Sequence, residues 1–234
     1  MPRSVVVGCV VSGLLALSTL AGCDGKVIHL GDGIDGGAAC RHAEVSASEV
    51  LWIGDSWVLV PGSQVTRVRD LARATGAIGP SDDYVNAGAP ATNIGAIADQ
   101  YNAREVGAIK VKVLIMDGGT WETLQANGSA ASVSSAAAGF DQHLAKVASD
   151  GSVEHIVYFL PPELPGIPGV AALRPFVRDS CAQSAVPCHF LDLQPPWANH
   201  PEYTASNGIL PTEAGARVLA DAIWAIMQDH CIAQ

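Results

Sequence analysis

The sequence predicts an α/β fold of three layers, in which a doubly wound, five-stranded parallel sheet of the flavodoxin-like kind lies between two layers of helices. Short apolar runs alternate along the chain with longer segments of helical periodicity. The runs are almost continuously apolar, as is typical of parallel strands that are buried on both faces. Right-handed crossovers then place successive helices on opposite faces of the sheet.

Five apolar runs predict the strands. They lie at residues 50–53, 84–86, 113–116, 155–160 and 188–193. In a doubly wound parallel sheet, the functional site lies beyond the carboxyl ends of the strands. We therefore expect functional residues directly after Ile53, Asn86, Met116, Leu160 and Leu193.

Five further segments predict helices. They lie at residues 63–74, 93–104, 130–148, 171–183 and 212–227. The third segment places Phe140, Leu144 and Val147 on one face, which is the spacing of a helix that covers a sheet. Thr212 and Glu213 open the last segment with residues that favour a helix start.

The composition is that of one globular domain. The chain has 234 residues, of which 49% are apolar and 15% are charged. The formal net charge is −10, and lysine and arginine form no cluster. Because nucleic-acid binding needs a basic face, this charge argues against a nucleic-acid partner. We expect a monomer whose acidity serves its solubility.

The amino terminus has the pattern of a bacterial lipoprotein signal. Arg3 is followed by an apolar run at residues 5–20 that is short for a membrane-spanning helix. Leu-Ala-Gly-Cys at residues 20–23 then resembles the bacterial lipobox. By that resemblance, residues 1–22 are removed and Cys23 is acylated, which implies an exported protein held on the cell envelope by its lipid anchor alone. An ordinary signal peptide with a coincidental cysteine is the alternative.

The rest of the chain divides into a tether and a folded domain. Residues 23–44 are rich in glycine and aspartate and predict a flexible tether. The alternation of apolar runs and helical segments follows it, so we expect the folded domain to cover residues 45–234.

Four of the six cysteines lie outside the signal and the lipid site, namely Cys40, Cys181, Cys188 and Cys231. An even number in an exported chain suggests disulfides, although four cysteines allow three pairings. Cys181 and Cys188 are close in sequence, so we expect a local bridge between them. Cys40 and Cys231 would then join the two ends of the domain. A zinc site is the disfavoured alternative, since no CxxC or HxxxH spacing occurs, and we expect no metal.

Three segments place polar residues and glycines where the site is expected. Gly54-Asp55-Ser56 follows the first strand, where glycine lets the backbone bend sharply and leaves the serine facing the site. After the second strand, the N–H of Gly88 can point at a developing oxyanion, with a plain turn as the alternative. The third segment, residues 207–216, leads into the last helix.

Together these segments resemble the SGNH/GDSL hydrolase family, from about residue 48 to residue 230. Its members are mostly esterases, lipases and acyl hydrolases that act on lipids or carbohydrates and use neither metal nor cofactor. By that resemblance, Ser56 is the nucleophile, and its N–H forms the oxyanion hole with that of Gly88. The resemblance also gives supporting roles to Asp55, Asn86 and Asn207.

The family's last block departs from its usual pattern here. The block usually reads Asp-Gly-Ile-His-Pro-Thr, whereas this chain has Asn207 at the aspartate position and Leu210 at the histidine position. Leucine cannot accept a proton, and a neutral amide cannot stabilise an imidazolium. The third block, usually Gly-x-Asn-Asp, has Thr120 or Trp121 in place of the oxyanion asparagine. Activity through the usual triad is therefore expected to be weak, altered or lost.

His200 is the one histidine of seven that we expect near the site, because it lies in the loop between the last strand and the last helix. It is the candidate substitute base. His189 is expected to be buried within a strand, and His143 and His230 are expected on solvated helix faces. Three carboxyl groups that follow strands are expected to cap helices or hold loops; they are Asp117, Glu122 and Glu163.

Two functions fit these residues. The first is an ester or acyl hydrolase that acts through Ser56 with an altered base. The second is a non-catalytic domain that binds an acylated glycan, lipid or peptide at the envelope. A nucleotide-binding role is disfavoured, because no GxGxxG, GKS or GKT loop follows a predicted strand.

Four aromatic residues fall in predicted loops at the carboxyl edge of the sheet. They are Trp57, Trp121, Trp197 and Tyr203. Such rings can line an apolar or sugar-binding cleft, and ordinary packing is the alternative.

Overall fold

Five parallel strands form the centre of the protein in the computed structural model, which describes residues 45–59, 64–105 and 110–233. The strands are β1 (Val50–Ile53), β2 (Val85–Asn86), β3 (Val113–Met116), β4 (His155–Leu160) and β5 (Cys188–Asp192). Their order is β2-β1-β3-β4-β5, and all neighbours are parallel. The predicted sheet is confirmed. The predicted signal peptide and tether, with Cys23 and Cys40, lie outside the described residues.

Helices cover both faces of this sheet. They are α1 (Gln64–Thr75), α2 (Ile94–Glu105), α3 (Thr120–Gln125), α4 (Ala130–Asp150), α5 (Val170–Gln183), α6 (Gln194–Trp197) and α7 (Glu213–Asp229). On one face α1 packs beside α7, whereas α2, α4 and α5 cover the other. The predicted three-layer α/β/α arrangement is therefore confirmed.

Alternate residues of each strand point into opposite layers. In β1, Trp52 packs on the side of α1 and α7, whereas Leu51 and Ile53 pack on the side of α2, α4 and α5. All three side chains are fully buried. This burial on both faces is the physical reason for the continuous apolar runs in the sequence.

The strand register brings the carboxyl ends of β1, β2 and β3 together. Ile53 pairs with Met116, so Gly54 and Asp117 leave the sheet side by side. Trp52 pairs with Asn86 at the end of β2. The segments that carry the candidate site therefore meet at one edge of the sheet, as expected for this topology.

Four short helical turns were not predicted, although the strands and long helices agree with the predictions to within two residues. They are α3, α6 and the 3₁₀ turns Ala47–Glu49 and Pro201–Tyr203. α6 lies where the sequence predicted a loop, and its prolines occupy the first turn, where the missing N–H removes no helical hydrogen bond. Trp121, Trp197 and Tyr203 therefore lie on helical turns and not in loops, which corrects that prediction.

His143 is buried, contrary to the expectation that it faces solvent. It is 2% exposed on α4, and its ring meets that of Tyr101 edge-on, with centroids 5.6 Å apart. Burial, followed by the charge of Lys146, lowers the pKa of His143 to about 4. The position lies three residues after Phe140, on the same apolar stripe that covers the sheet. His230 is exposed, as expected.

Cys181 and Cys188 form a disulfide that links the end of α5 to the start of β5. Cys231 is disulfide-bonded as well, and Cys40, its predicted partner, lies outside the described residues. Among the helices of the described ranges, none combines the length and the apolar character needed to span a membrane.

Candidate active site

The turn after β1 is held by the neighbouring helix. The N–H of Gly54 donates to Oε1 of Gln100 on α2 at 2.8 Å, and the carbonyl oxygen of Gly54 accepts from Nε2 of the same side chain at 3.1 Å. Gly54 has a φ of +148°, a conformation that side chains with a Cβ rarely adopt. The reversal places Asp55 and Ser56 directly at the carboxyl edge of the sheet.

Asp55 fixes this turn to the segment after β3. Its N–H donates to Oδ1 of Asp117 at 2.8 Å. Its carboxylate accepts from the N–H of Trp57 at 3.0 Å and from the hydroxyl of Thr120 at 2.6 Å. With 5% exposure and three polar contacts, Asp55 is a buried support of the turn.

Asp117 is a buried carboxyl group beside Asp55. It is fully buried, and one of its oxygens, Oδ2, has no hydrogen-bond partner among the described residues. Burial, followed by the charge of Asp55, holds the pKa of Asp117 well above its usual range. Asp117 therefore keeps its proton at pH values where an ordinary aspartate is ionised.

We expect Asp117→Asn to stabilise the protein at pH 8 but not near pH 4. A carboxyl group whose folded pKa is raised contributes stability at low pH, and that stability is lost as the pH rises through the folded pKa. Asparagine keeps the Oδ1 acceptor for the N–H of Asp55 and cannot ionise. Thermal unfolding at both pH values should show a Tm several degrees higher for the variant at pH 8. A wild type at least as stable as the variant at pH 8 would contradict this assignment.

Ser56 lines a cleft, and no base among the described residues is hydrogen-bonded to its hydroxyl. Its Oγ accepts a hydrogen bond from the N–H of Ala91 at 3.3 Å. Within the described ranges, no imidazole or carboxylate is bonded to this hydroxyl. A serine hydroxyl is a weak nucleophile when no base takes its proton.

The two other groups expected around an oxyanion are engaged within the protein. The N–H of Gly88 donates to Oδ1 of Asn86 at 2.9 Å, which closes a local turn. Thr120, one of the two residues that the resemblance places at the asparagine position, begins α3, and its hydroxyl donates to Asp55. Neither donor points freely at a reacting carbonyl in this arrangement.

The segment before α7 places an apolar side chain in the cleft. Oδ1 of Asn207 accepts from the N–H groups of Ile209 and Leu210, at 2.9 and 3.1 Å. The indole N–H of Trp57 donates to the carbonyl of Ile209 at 3.1 Å, which ties this segment to the turn after β1. Leu210 thereby lines the cleft that also holds Ser56.

His200 does not line that cleft. Its Nδ1 lies 2.8 Å from Oε1 of Glu202, and its ring stacks on Tyr203 with centroids 4.6 Å apart. Tyr203 contacts Trp197, which in turn contacts Trp57. The imidazole thus lies at the outer end of a row of rings whose inner end, Trp57, borders the cleft.

The acidic residues that follow β3 and β4 serve as helix caps. Oε1 of Glu122 accepts the N–H of Ile94, the first residue of α2, at 2.6 Å. The carboxylate of Glu163 accepts the N–H groups of Gly169 and Ala171 at the start of α5. Both carboxylates accept hydrogen bonds from N–H groups at helix starts that have no partner within the helix. This is a structural role.

The cleft has a volume of about 230 Å³ and one polar side. Its polar residues are Asp55, Ser56, Thr120 and Asn207. Its apolar wall consists of Trp57, Trp121, Leu124, Ile167, Ile209 and Leu210. Two of the four predicted aromatic residues therefore line it, whereas Trp197 and Tyr203 pack behind it against the core. No lysine, arginine or histidine is among the lining residues, so the cleft offers no charged partner to an anionic group.

A larger hollow of about 530 Å³ lies between α4 and α5. It is bordered by the exposed ring of Phe176 and by residues near the carboxyl end of α5, which leads into the amino end of β5. Sites in this kind of sheet lie at the carboxyl ends of the strands, so we assign the candidate site to the smaller cleft.

Comparison with known proteins identifies the fold. No protein-family model and no curated protein matches the sequence. Among solved structures, the acetyl xylan esterase AlAXEase is similar with a TM-score of 0.62 and 14% identity, over 76% of this chain and 98% of that one. A protein from Slackia heliotrinireducens assigned as an SGNH hydrolase is similar with a TM-score of 0.58 and 12% identity, over 76% and 97% of the two chains. The chain has the SGNH hydrolase fold.

A third similar structure, the psychrotrophic esterase EstA from Pseudoalteromonas sp., has a TM-score of 0.62 and 11% identity, over 77% of this chain and 96% of the other. That structure is described as inhibited by monoethylphosphonate. At identities this low, the structural similarity shows a shared fold alone and does not transfer the chemistry of one site to another.

Proposed function

We propose that this protein is a binding domain with the SGNH hydrolase fold, whose cleft takes the acyl group of an acylated glycan, lipid or peptide without turning it over through a serine–histidine pair. The observation that carries this proposal is Leu210, which lines the cleft beside Ser56 where the resemblance requires a histidine. Removal of the histidine of a serine triad costs about 10⁶ in kcat in a well-studied hydrolase.

The neighbouring groups support loss of turnover. Asn207 uses its side chain to hold the backbone of its own segment, and Gly88 and Thr120 donate to Asn86 and Asp55. Loss of one oxyanion donor alone costs about 10²–10³ in kcat. These departures lie in three separate segments, so a single substitution would not restore an ordinary hydrolase site.

The shape of the cleft favours a small uncharged group. A volume of about 230 Å³ is below that of most drug-sized pockets and holds roughly seven or eight water-sized groups. A short acyl chain or a single acetylated sugar ring has this size. The indole of Trp121 offers a flat apolar surface, and Ser56 and Asn207 offer hydrogen bonds to an ester or hydroxyl.

A second candidate function is slow ester hydrolysis through Ser56 with His200 as the base. The observation that favours it is the 2.8 Å contact between Nδ1 of His200 and Oε1 of Glu202, which has the geometry of the carboxylate–imidazole half of a triad. The loop would have to move for the imidazole to reach Ser56, because His200 stacks on Tyr203 outside the cleft.

We also propose that the protein works at the bacterial cell envelope, anchored through acylated Cys23, on the periplasmic or the outer side. The Cys181–Cys188 disulfide supports export, because such bonds persist in oxidising compartments.

Covalent labelling with a fluorophosphonate probe tests the absence of turnover. The full chain in detergent should react no faster than its Ser56→Ala variant, because nothing activates the hydroxyl. Labelling of the wild type alone would overturn the proposal in favour of hydrolysis. In that case His200→Ala should abolish the labelling if His200 is the base.

Tryptophan fluorescence with an acetylated xylo-oligosaccharide tests the binding role. We expect saturable quenching, with affinity at least ~10-fold lower for Trp121→Ala, which removes one wall of the cleft. Trp224→Phe is the matched control, because Trp224 is buried on α7 and does not line the cleft. Equal affinities for Trp121→Ala and Trp224→Phe would show that the cleft is not the site.

A further inference from the structure

Three histidines meet at the edge of the sheet opposite the candidate active site. His155 begins β4, His189 is the second residue of β5, and His230 directly follows α7. The first two lie at the amino ends of their strands, whereas Ser56 follows the carboxyl end of β1. The cluster is therefore separate from the cleft.

The ring of His189 contacts the rings of both other histidines. Nδ1 of His155 lies 3.2 Å from Nε2 of His189. The ring of His189 also packs against that of His230, with centroids 4.1 Å apart and planes 38° apart. His155 and His189 are half-buried and His230 is exposed, so solvent and ions have access to the cluster.

We infer that His155 and His189 form a binding site for a divalent transition metal ion such as Zn²⁺, Ni²⁺ or Cu²⁺, with His230 as the third ligand. Imidazole nitrogen suits these ions. With Zn–N distances of about 2.0–2.1 Å, two nitrogens on one zinc lie about 3.4 Å apart in a tetrahedron and about 2.9 Å apart at a right angle. The observed separation of 3.2 Å falls between these values.

Burial favours the neutral form of His155 and His189, which is the form that binds metals. Burial, followed by the neighbouring His230 and His155, lowers the pKa of His189 to about 4. Burial also lowers the pKa of His155, against the opposing charge of Glu154. The metal ion would bind the two facing nitrogens, Nδ1 of His155 and Nε2 of His189. Each neutral ring would then carry its single proton on its other nitrogen. Binding would therefore release no proton from either ring.

The third ligand requires a change of side-chain conformation. Among residues 45–59, 64–105 and 110–233, no three His, Cys, Asp or Glu side chains already surround a common point. His230 is exposed at the end of a helix and already touches His189, so rotation of its side chain can bring a nitrogen toward the facing pair. The carboxylate of Glu154, next to His155 in the chain, pairs with Lys112 at 3.5 Å.

Zinc binding to the untagged, EDTA-treated full chain tests this inference. We expect one Zn²⁺ per chain by competition with a chromogenic chelator, and a Tm raised by about 5–10 °C at roughly 100-fold excess of zinc over Kd. His189→Gln and His155→Gln should each weaken binding at least ~10-fold. His200→Gln is the matched control, because His200 lies outside the cluster, and it should bind as the wild type does.

Two results would overturn the inference. One is no saturable binding by the wild type at micromolar zinc, and the other is equal affinity of the wild type and both cluster variants. Circular dichroism shows whether each variant folds. If either His189→Gln or His155→Gln does not fold, the other variant still tests the inference. His230→Gln tests the third ligand separately: weaker binding supports it, and unchanged binding removes His230 from the site.

Discussion

Replacing Leu210 by histidine and Asn207 by aspartate is expected to give the cleft a serine-hydrolase activity well above that of the natural chain. Ser56 already lies in the cleft at the end of a rigidly held turn. The missing parts are a base to take its proton and a carboxylate to orient and stabilise that base. The Leu210→His, Asn207→Asp double variant supplies both.

The structure indicates that the segment can accept both changes. Asn207 accepts the N–H groups of Ile209 and Leu210 through Oδ1, and an aspartate oxygen can accept the same two bonds. The side chain at position 210 already points into the cleft, and it is only partly buried. Histidine therefore replaces leucine without burying a large polar group in the core.

We expect fluorophosphonate labelling of the double variant at least ~100-fold faster than that of the wild type, and slow hydrolysis of p-nitrophenyl acetate. The gain in labelling rate should fall short of the effect of a full triad, which is about 10⁶-fold in kcat. The reason is that Gly88 and Thr120 still donate to Asn86 and Asp55 and not to an oxyanion. Adding Ser56→Ala should abolish the gain, and Leu210→Ala alone should not produce it. A folded double variant that labels no faster than the wild type would refute the placement of Ser56 and position 210 on one site.

Burial on both faces made the fold predictable. A parallel strand between two helical layers must be apolar at every position, so β3 and most of β4 are visible as uninterrupted apolar runs. The positions after β1 and β3 then followed from topology, and Ser56 and Thr120 do meet in one cleft. Leu210, which lines the same cleft, was expected there from the family resemblance and not from the order of the strands.

The contacts that decide the chemistry join residues far apart in the chain. Gln100 holds the turn at Gly54 from a helix 46 residues away, and nothing in its local sequence marks it for that role. His200 lies in the loop where it was expected, but its orientation is set by Glu202 and Tyr203. Side-chain orientation depends on such packing partners, which periodicity and motif spacing do not specify.

Gly54→Ala is expected to be the most destabilising single substitution in the candidate site. A Cβ at this position would lie 1.8 Å from Oδ1 of Asp117 and 2.7 Å from Cγ2 of Val58. The side chain of Asp117 cannot move away from the added methyl group, because it is fully buried and accepts a hydrogen bond from the N–H of Asp55. The φ of +148° adds backbone strain of about 1–3 kcal/mol for a residue with a side chain. We expect a total loss of roughly 4–5 kcal/mol in the free energy of unfolding.

Gly151→Ala separates the steric part of that loss from the general cost of replacing a glycine at positive φ. Gly151 ends α4 with a φ of +70°, and a Cβ there meets nothing within 4 Å. Its replacement should cost only about 1 kcal/mol in urea unfolding. Truncating Asp117 in the Gly54→Ala background should recover part of the loss, because it removes the nearest clashing atom. If Gly54→Ala costs no more than Gly151→Ala, the turn that carries Ser56 is not packed against Asp117.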